Sequence, residues 1–251
     1  MYSTDDVFLV TGSTSGIGKS VVLSLLKQGA KVVAVGRSIE KLSALESEGG
    51  ASGKLVCEVR DLSNCIGLDK WVLGISKKYG KLKGLVLSAG IQQIVSFRSP
   101  LSIERSKELF DINYFSNMQL AKGFSDRRAN IGEGSSIVFV SSIASIKGSP
   151  GLVGYAASKG AINSAVKSLA VEVAPLGVRV NAILPGFVVT EMTKSWSSIY
   201  TEEFINNLDR TYPLGLGTVE DVVNPILFLL SDSAKWITGV GLVVDGGASV
   251  C

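Results

Sequence analysis

The 251-residue chain contains no histidine. That absence excludes a Ser-His-Asp triad, a Cys-His pair and every histidine metal site. A general acid or base working near neutral pH must then be a retuned tyrosine, lysine, cysteine or carboxylate. Cysteine is scarce as well. Cys57, Cys65 and Cys251 are odd in number and lack metal-ligand spacing, so no metal site is expected, and the thiols read as free in a reducing cytoplasm. Net charge is only +3, and the basic pairs Lys77-Lys78 and Arg127-Arg128 read as solvated surface; nucleic acid is not an expected partner. No apolar run reaches the roughly 18 residues needed to span a bilayer. The opening MYSTDDVFLV has no basic, cleavable leader, so neither a membrane nor secretion is expected and the expected location is cytoplasmic.

What is present is enough for one substantial core. With 46% hydrophobic residues, the length favours a single domain over residues 1–251. Short β-rich runs alternate with helical patterns. Strands are predicted at 7–11, 31–35, 54–59, 84–88, 135–141, 178–184 and 240–244, and helices at about 17–28, 39–47, 66–79, 102–125, 155–174 and 219–230. The runs KVVAV, GLVLS and SIVFV are continuously apolar, as in strands buried on both faces. The pattern predicts an α/β fold, a doubly wound parallel seven-stranded sheet with helices on both faces. One irregular insertion, about 187–215, carries Trp196, Tyr200, Phe204 and Tyr212. It follows a strand end, where ligands lie in such sheets, and reads either as a substrate lid or as a plain surface helix.

The stretch TGSTSGIGKS, residues 11–20, admits two nucleotide readings. A P-loop needs a glycine at position 13, with four residues between it and Gly18-Lys19-Ser20, but Ser13 stands there and Gly12 is one place early. The dinucleotide fingerprint G-x-G-x-x-G fails too, because the glycines are Gly12, Gly16 and Gly18. What remains is a wider glycine turn between an apolar strand and a helix, a cradle for an anion whatever its spacing.

The chemistry is carried by GYAASKGA, with Tyr155 and Lys159 four residues apart and so on one helix face. A phenol titrates near ~10, and moving it to ~7 takes roughly 4 kcal/mol. One ammonium about 4 Å away supplies on the order of that amount at an effective dielectric of ~20. A Tyr/Lys pair is thereby expected to replace the missing histidine. Ser142 ends the run SIVFVSS thirteen residues earlier, and NAILPGFVVTEM turns at Pro185-Gly186 beyond a later strand. A hydroxyl and a phenol can thus meet at one substrate oxygen.

These segments together resemble the short-chain dehydrogenase/reductase family, near the 3-oxoacyl-[acyl-carrier-protein] reductases. The likeness runs through TGSTSGIG, Asp61-Leu62, SAG at 88–90, DIN at 111–113, Ser142, YAASK, PGFVVT and the closing ITGVGLVVDGG. It implies a Rossmann fold and a hydride transfer between a nicotinamide and a carbonyl or secondary alcohol. It also implies a catalytic set: Tyr155 as proton donor or acceptor, Lys159 to lower its pKa and bond the ribose, Ser142 to hold the substrate oxygen, and Asn113 to place a water. By the same resemblance Gly12, Gly16, Ile17 and Gly18 carry the pyrophosphate and nearby ribose, and Asp61 and Leu62 the adenine. Ala89 and Gly90 pack by the riboses, and Pro185, Gly186, Val188 and Thr190 hold the nicotinamide end. Two departures stand out. Leu87-Ser88 replaces the usual Asn-Asn, which puts a strand-bracing bond in doubt. Glu133 and Leu176 stand where carrier-docking basic residues would align, which puts a carrier-protein substrate in doubt.

Beyond the second strand, Gly36 takes the place of an acidic ribose ligand and Arg37 follows. An arginine there favours a 2′-phosphate through charge-assisted bonds, with Ser38 beside it and hydroxyls of Ser13 and Ser15 as further contacts. NADP(H) is therefore expected over NAD(H), with NAD(H) possible. The expected substrate is a 3-oxoacyl thioester; the alternatives are a sugar, polyol, small ketone or steroid-like alcohol, or a non-catalytic NADP(H)-binding module. The family resemblance further implies a homotetramer.

Overall fold

The computed structural model describes residues 2–50, 53–194 and 200–251. The apolar runs become the strands β1 (Val7–Thr11), β2 (Lys31–Gly36), β3 (Leu55–Val59), β4 (Leu82–Leu87), β5 (Ser135–Val140), β6 (Val178–Pro185) and β7 (Gly241–Val244). They pair in parallel in the order β3-β2-β1-β4-β5-β6-β7. β1, β5 and β6 are buried along their whole length, as continuous apolar strands require in a sheet covered on both faces. Chain order reverses between β1 and β4, which opens a crevice beyond their carboxyl ends.

The helices are α1 (Gly16–Lys27), α2 (Ile39–Gly49), α3 (Leu68–Tyr79), α4 (Ser102–Phe110), α5 (Ser116–Ser125), α6 (Val153–Val173), α7 (Glu191–Lys194), α8 (Glu202–Asp209) and α9 (Val219–Leu230). One core packs β1, β4, β5 and β6 against α3, α5 and α6 through Leu9, Leu85, Phe124, Phe139 and Ile162. The other packs the opposite face against α1 and α9 through Phe8, Val22, Leu25, Ile226 and Leu230. Strand alternation accounts for the division: Phe8 and Leu9 are neighbours that face opposite layers.

The helix predicted over 102–125 is interrupted. Asp111–Phe115 forms a π-helical turn between α4 and α5, and Asn113 sits in it, fully buried. The insertion at 187–215 is not irregular throughout, since it contains α7 and α8. Thr201 caps α8 by accepting from Phe204 N, and Glu202 and Glu203 occupy its first turn. Trp196 lies outside the described residues.

Candidate active site

The glycine turn is set by steric exclusion. Gly12 has φ +66° and Gly16 φ +50°, both in the left-handed region. A Cβ on Gly18 would lie 2.3 Å from the Gly12 carbonyl oxygen, so only glycine lets the turn close on its helix. The α1 N-terminus begins at Gly16, and Ser15 supplies no side-chain cap. Instead the Glu191 carboxylate, from α7, accepts a hydrogen bond from Gly16 N at 3.0 Å. The seat suits an anion, and here an acidic side chain takes it.

Two of the residues expected at this end point elsewhere. The Ser13 hydroxyl is fully buried, donates to the Val10 carbonyl at 2.6 Å and accepts from Val35 N at 3.1 Å. It braces β1 to β2 and does not offer a cofactor contact. Ser38 caps α2 by accepting from Lys41 N at 3.2 Å and is also not on the cavity wall. Gly18 likewise lies behind the turn rather than on that wall.

A cavity of about 710 Å³ runs from this turn across the crevice. Gly12, Ser15, Gly16, Ile17, Arg37, Asp61 and Leu62 line one end. Ala89 and Gly90 lie midway, and Ser142, Tyr155, Lys159, Pro185, Gly186, Val188 and Thr190 line the other end. Gly36 is confined: a Cβ there would meet the Thr14 methyl at 2.5 Å, so no acidic side chain fits at that position. Arg37 beside it is exposed, with no ion-pair partner among the described residues. Asp61 faces inward on its own loop, bonding Ser63 N at 3.0 Å and Ser63 Oγ at 2.9 Å. Those bonds hold its carboxyl below the usual range.

Tyr155 and Lys159 are both buried on α6. Lys159 Nζ lies 5.8 Å from the Tyr155 ring centroid and donates to the Val140 carbonyl, at the end of β5, at 2.8 Å. Burial pushes the phenol up to about 12, a bond with the Ser142 hydroxyl pulls the other way, and the nearby Tyr200 adds to the rise. Burial also brings the ammonium down to about 8. The expected acidification of the phenol is therefore not found in this arrangement. A buried phenolate loses its hydration, and the ammonium is directed at a backbone carbonyl instead of the phenol oxygen. Ser142 also accepts from Ala144 N at 3.1 Å, which fixes it at the mouth of a short 3₁₀ turn.

Asn113 is not on the cavity wall but lies directly behind it. Its Oδ1 accepts from Ile91 N at 2.8 Å, and its Nδ2 donates to Ile91 O at 2.9 Å and to Ser158 Oγ at 3.1 Å. A Cβ on Gly90 would stand 2.9 Å from Asn113 Oδ1 and 3.4 Å from Lys159 Nζ, so that glycine leaves both groups against one small space. The π turn is what swings Asn113 toward β4, a placement that such bulges often serve. The strand brace put in doubt by Leu87-Ser88 comes from other residues: Thr11 Oγ1 accepts from Ala89 N at 3.2 Å, and Asn117 Nδ2 reaches Ala89 O at 3.4 Å.

Of the remaining wall, Phe187, Tyr200 and Phe204 belong to the insertion expected as a substrate lid, whereas Gln92, Ile94, Leu152 and Arg60 carried no mark as site residues. Gln92 Nε2 donates to the Tyr200 hydroxyl at 3.1 Å. The Tyr200 ring stacks edge-on with Phe187 at 5.1 Å and lies 5.5 Å from Phe204. Ile94, Leu152 and Leu208 add apolar surface, and Arg60 stands at the Arg37 end. The alternation of Gln92 with apolar neighbours in IQQIV gave no sign of the contact, since its partner is 108 residues away.

Comparison with known proteins agrees with this geometry. The family model described as enoyl-(acyl carrier protein) reductase matches residues 12–249. The chain is 35% identical over 250 residues to the 3-oxoacyl-[acyl-carrier-protein] reductase FabG of Thermotoga maritima, covering 96% of each chain. It is 34% identical over 256 residues to a 3alpha-hydroxysteroid dehydrogenase of Mediterraneibacter gnavus, covering 99% of this chain and 98% of that one. With an L-rhamnose 1-dehydrogenase (NAD(P)(+)) of Azotobacter vinelandii it shares 31% identity over 261 residues, covering 100% and 99%. Among solved structures, actinorhodin polyketide ketoreductase with NADPH superposes with a TM-score of 0.91 at 26% identity, covering 100% of both chains. A strand-end serine beside a helix-borne Tyr/Lys pair, on a seven-stranded doubly wound sheet, is thus joined to likeness over the full chain, and the protein belongs to the short-chain dehydrogenase/reductase family as an oxidoreductase acting on CH–OH groups.

Proposed function

We propose that the protein is an NADP(H)-dependent reductase of 3-oxoacyl thioesters. The observation that carries this reading is the Ser142–Tyr155 hydroxyl pair in a cavity that continues to the glycine turn and Arg37. A nicotinamide dinucleotide fits these residues: the Gly16 N–H suits an anion, and Arg37 stands free at the far end. When bound, the cofactor supplies the hydride. Gly12, Ser15, Gly16 and Ile17 hold its pyrophosphate side, with Gly18 keeping the turn tight. Asp61, Leu62, Ala89 and Gly90 flank the adenosine and riboses. Pro185, Gly186, Val188 and Thr190 flank the nicotinamide.

In reduction, the Ser142 hydroxyl donates to the substrate carbonyl oxygen and polarises it. Tyr155 then transfers its phenolic proton to that oxygen as the carbonyl carbon is reduced. A phenol held near 12 stays protonated at working pH, which suits the role of acid. Lys159 returns a proton to the phenolate, and Asn113, against the same glycine, marks where a water would enter. Oxidation demands the phenolate first and is the harder direction. With the Lys159 ammonium brought down to about 8, kcat/KM for the reduced cofactor should be flat below that pH and fall above it, as the cation is lost. Lys159→Arg, which stays charged, should move the fall to higher pH; a profile unmoved by that change would contradict the assignment.

The apolar wall of Ile94, Leu152, Phe187, Phe204 and Leu208 supports an acyl chain or a steroid-like alcohol over a sugar. Exposed Glu133, where a carrier-docking base would stand, speaks for a thioester presented without a carrier protein. The segment 187–215 is read as the substrate lid of a single domain. Exposed Phe97, Leu101 and Ile103 near α4, and exposed Trp236 and Val250 near β7, support a homotetramer; light scattering should give four times the 26.4 kDa chain mass. Free Cys57, Cys65 and Cys251 fit a cytoplasmic protein. The deciding experiment follows reduced-nicotinamide absorbance over 3-oxoacyl thioesters, ketones, steroids and sugars, with Tyr155→Phe as control. Turnover of sugars alone would overturn the thioester reading.

A further inference from the structure

Tyr200, just ahead of α8, lines the same cavity as Tyr155. Its position is defined by three neighbours. Phe187 meets the ring edge-on at 5.1 Å, Phe204 lies at 5.5 Å, and Gln92 Nε2 donates to the hydroxyl at 3.1 Å. The direction of that last bond matters. Because the amide nitrogen is the donor, the phenol oxygen acts as acceptor, and its own proton has no acceptor among the described residues. Burial pushes this phenol up, so the proton is kept at neutral pH. Tyr200 is near enough that its ionisation would raise Tyr155 further, yet no hydrogen bond joins the two hydroxyls among the described residues. Two phenols, Tyr155 and Tyr200, therefore line one cavity.

We propose that Tyr200, oriented by Gln92, donates a hydrogen bond to a second oxygen of the substrate close to the reacting carbonyl, and thereby selects 1,3-dicarbonyl compounds over simple ketones. The inference rests on the thioester reading for the identity of that second oxygen, which is then the thioester carbonyl. A donor that faces the cavity with no acceptor of its own among the described residues discriminates, since a substrate lacking the oxygen leaves it without that bond. The rings of Phe187 and Phe204 flank the phenol with apolar surface. Tyr200 is the specificity residue, and Gln92 is the positioning residue behind it.

The test compares kcat/KM for three probes: acetoacetyl-CoA, a 1,3-diketone and a monoketone of matched length. In Tyr200→Phe the ratio of diketone to monoketone kcat/KM should fall about tenfold, the worth of one neutral hydrogen bond. The loss should appear mainly in KM, because the proton donor Tyr155 is untouched. Gln92→Glu keeps the shape but reverses the bond: the carboxylate accepts a hydrogen bond from the Tyr200 hydroxyl and diverts it from the substrate, and the ratio should fall as far as in Tyr200→Phe. Gln92→Asn, which retains a donor, should recover part of it. Equal losses on diketone and monoketone, or an unchanged ratio, would overturn the proposal. If the parent reduces the diketone selectively but no thioester, the thioester reading fails and the Tyr200 inference stands.

Discussion

Tyr155→Phe is expected to lower kcat for carbonyl reduction by about a thousandfold, the scale set by removing a positioned general acid. Affinity for NADPH should stay within about tenfold, because a neutral hydrogen bond is the most the lost hydroxyl could give it. The reasoning is specific to this pocket. Without histidine anywhere in the chain, the described wall offers Tyr155, Lys159, Ser142 and Tyr200 as proton-bearing groups around the substrate space. Lys159 is turned to the Val140 carbonyl at 2.8 Å, and the Ser142 hydroxyl, though free to donate a hydrogen bond, is an aliphatic alcohol too weakly acidic to give up its proton. Neither replaces the phenol as the acid. The phenylalanine ring keeps its place on α6, so positioning of the carbonyl should survive and leave a measurable residual rate. Stopped-flow single turnover would separate this loss from product release. A variant within about threefold of the parent would remove Tyr155 from the mechanism.

Arg37→Asp should reverse the cofactor choice. The parent is expected to favour NADPH over NADH in kcat/KM, and the substitution should cost NADPH about a hundredfold or more. One charge-assisted bond to a phosphate contributes about 1.5–3 kcal/mol, and a carboxylate in its place adds repulsion. NADH should gain, because an acidic side chain at the end of β2 can accept from the ribose 2′-OH. Position 36 cannot host that carboxylate, since the Thr14 methyl fills the space a Cβ would need at 2.5 Å. Position 37 is the nearest place in the sequence where the switch can be made. Equal use of both cofactors by the parent, with no response to Arg37→Asp, would show the arginine to be a bystander. Arg60, on the same wall, keeps some positive charge there, so the reversal should be incomplete in Arg37→Ala and fuller in Arg37→Asp.

Most of the sheet was legible because its strands carry their own signature. Continuous runs such as SIVFV can only be buried on both sides, and every predicted strand overlaps an observed one, β1 over the same residues Val7–Thr11. The meeting of Ser142, Tyr155 and Lys159 on one cavity wall was legible because each sits at a strand end or on a helix face with a sequence mark. What escaped was whatever depends on direction. A serine in a glycine turn looks like a phosphate ligand until Ser13 is seen bridging Val10 and Val35. A four-residue spacing puts Tyr155 and Lys159 side by side, but it does not show that the ammonium is aimed at Val140 O. The π turn at Asp111–Phe115 was hidden because a single extra residue barely disturbs a helical hydrophobic pattern. Helix α8 had its signal in Thr201 followed by two glutamates, a capping pattern passed over among the aromatic residues of the insertion.

On the proposed reading, in which a cofactor phosphate binds at Gly16 N, the contact of that amide with Glu191 makes nucleotide entry an exchange. One resident negative group must leave as another arrives, so the net gain in bonds at that amide is close to nil. What the arriving phosphate does release is the short helix carrying Glu191, at the start of the segment that bears Tyr200. By linkage the traffic runs both ways: whatever clamps that segment down on the amide must loosen the dinucleotide by the same factor.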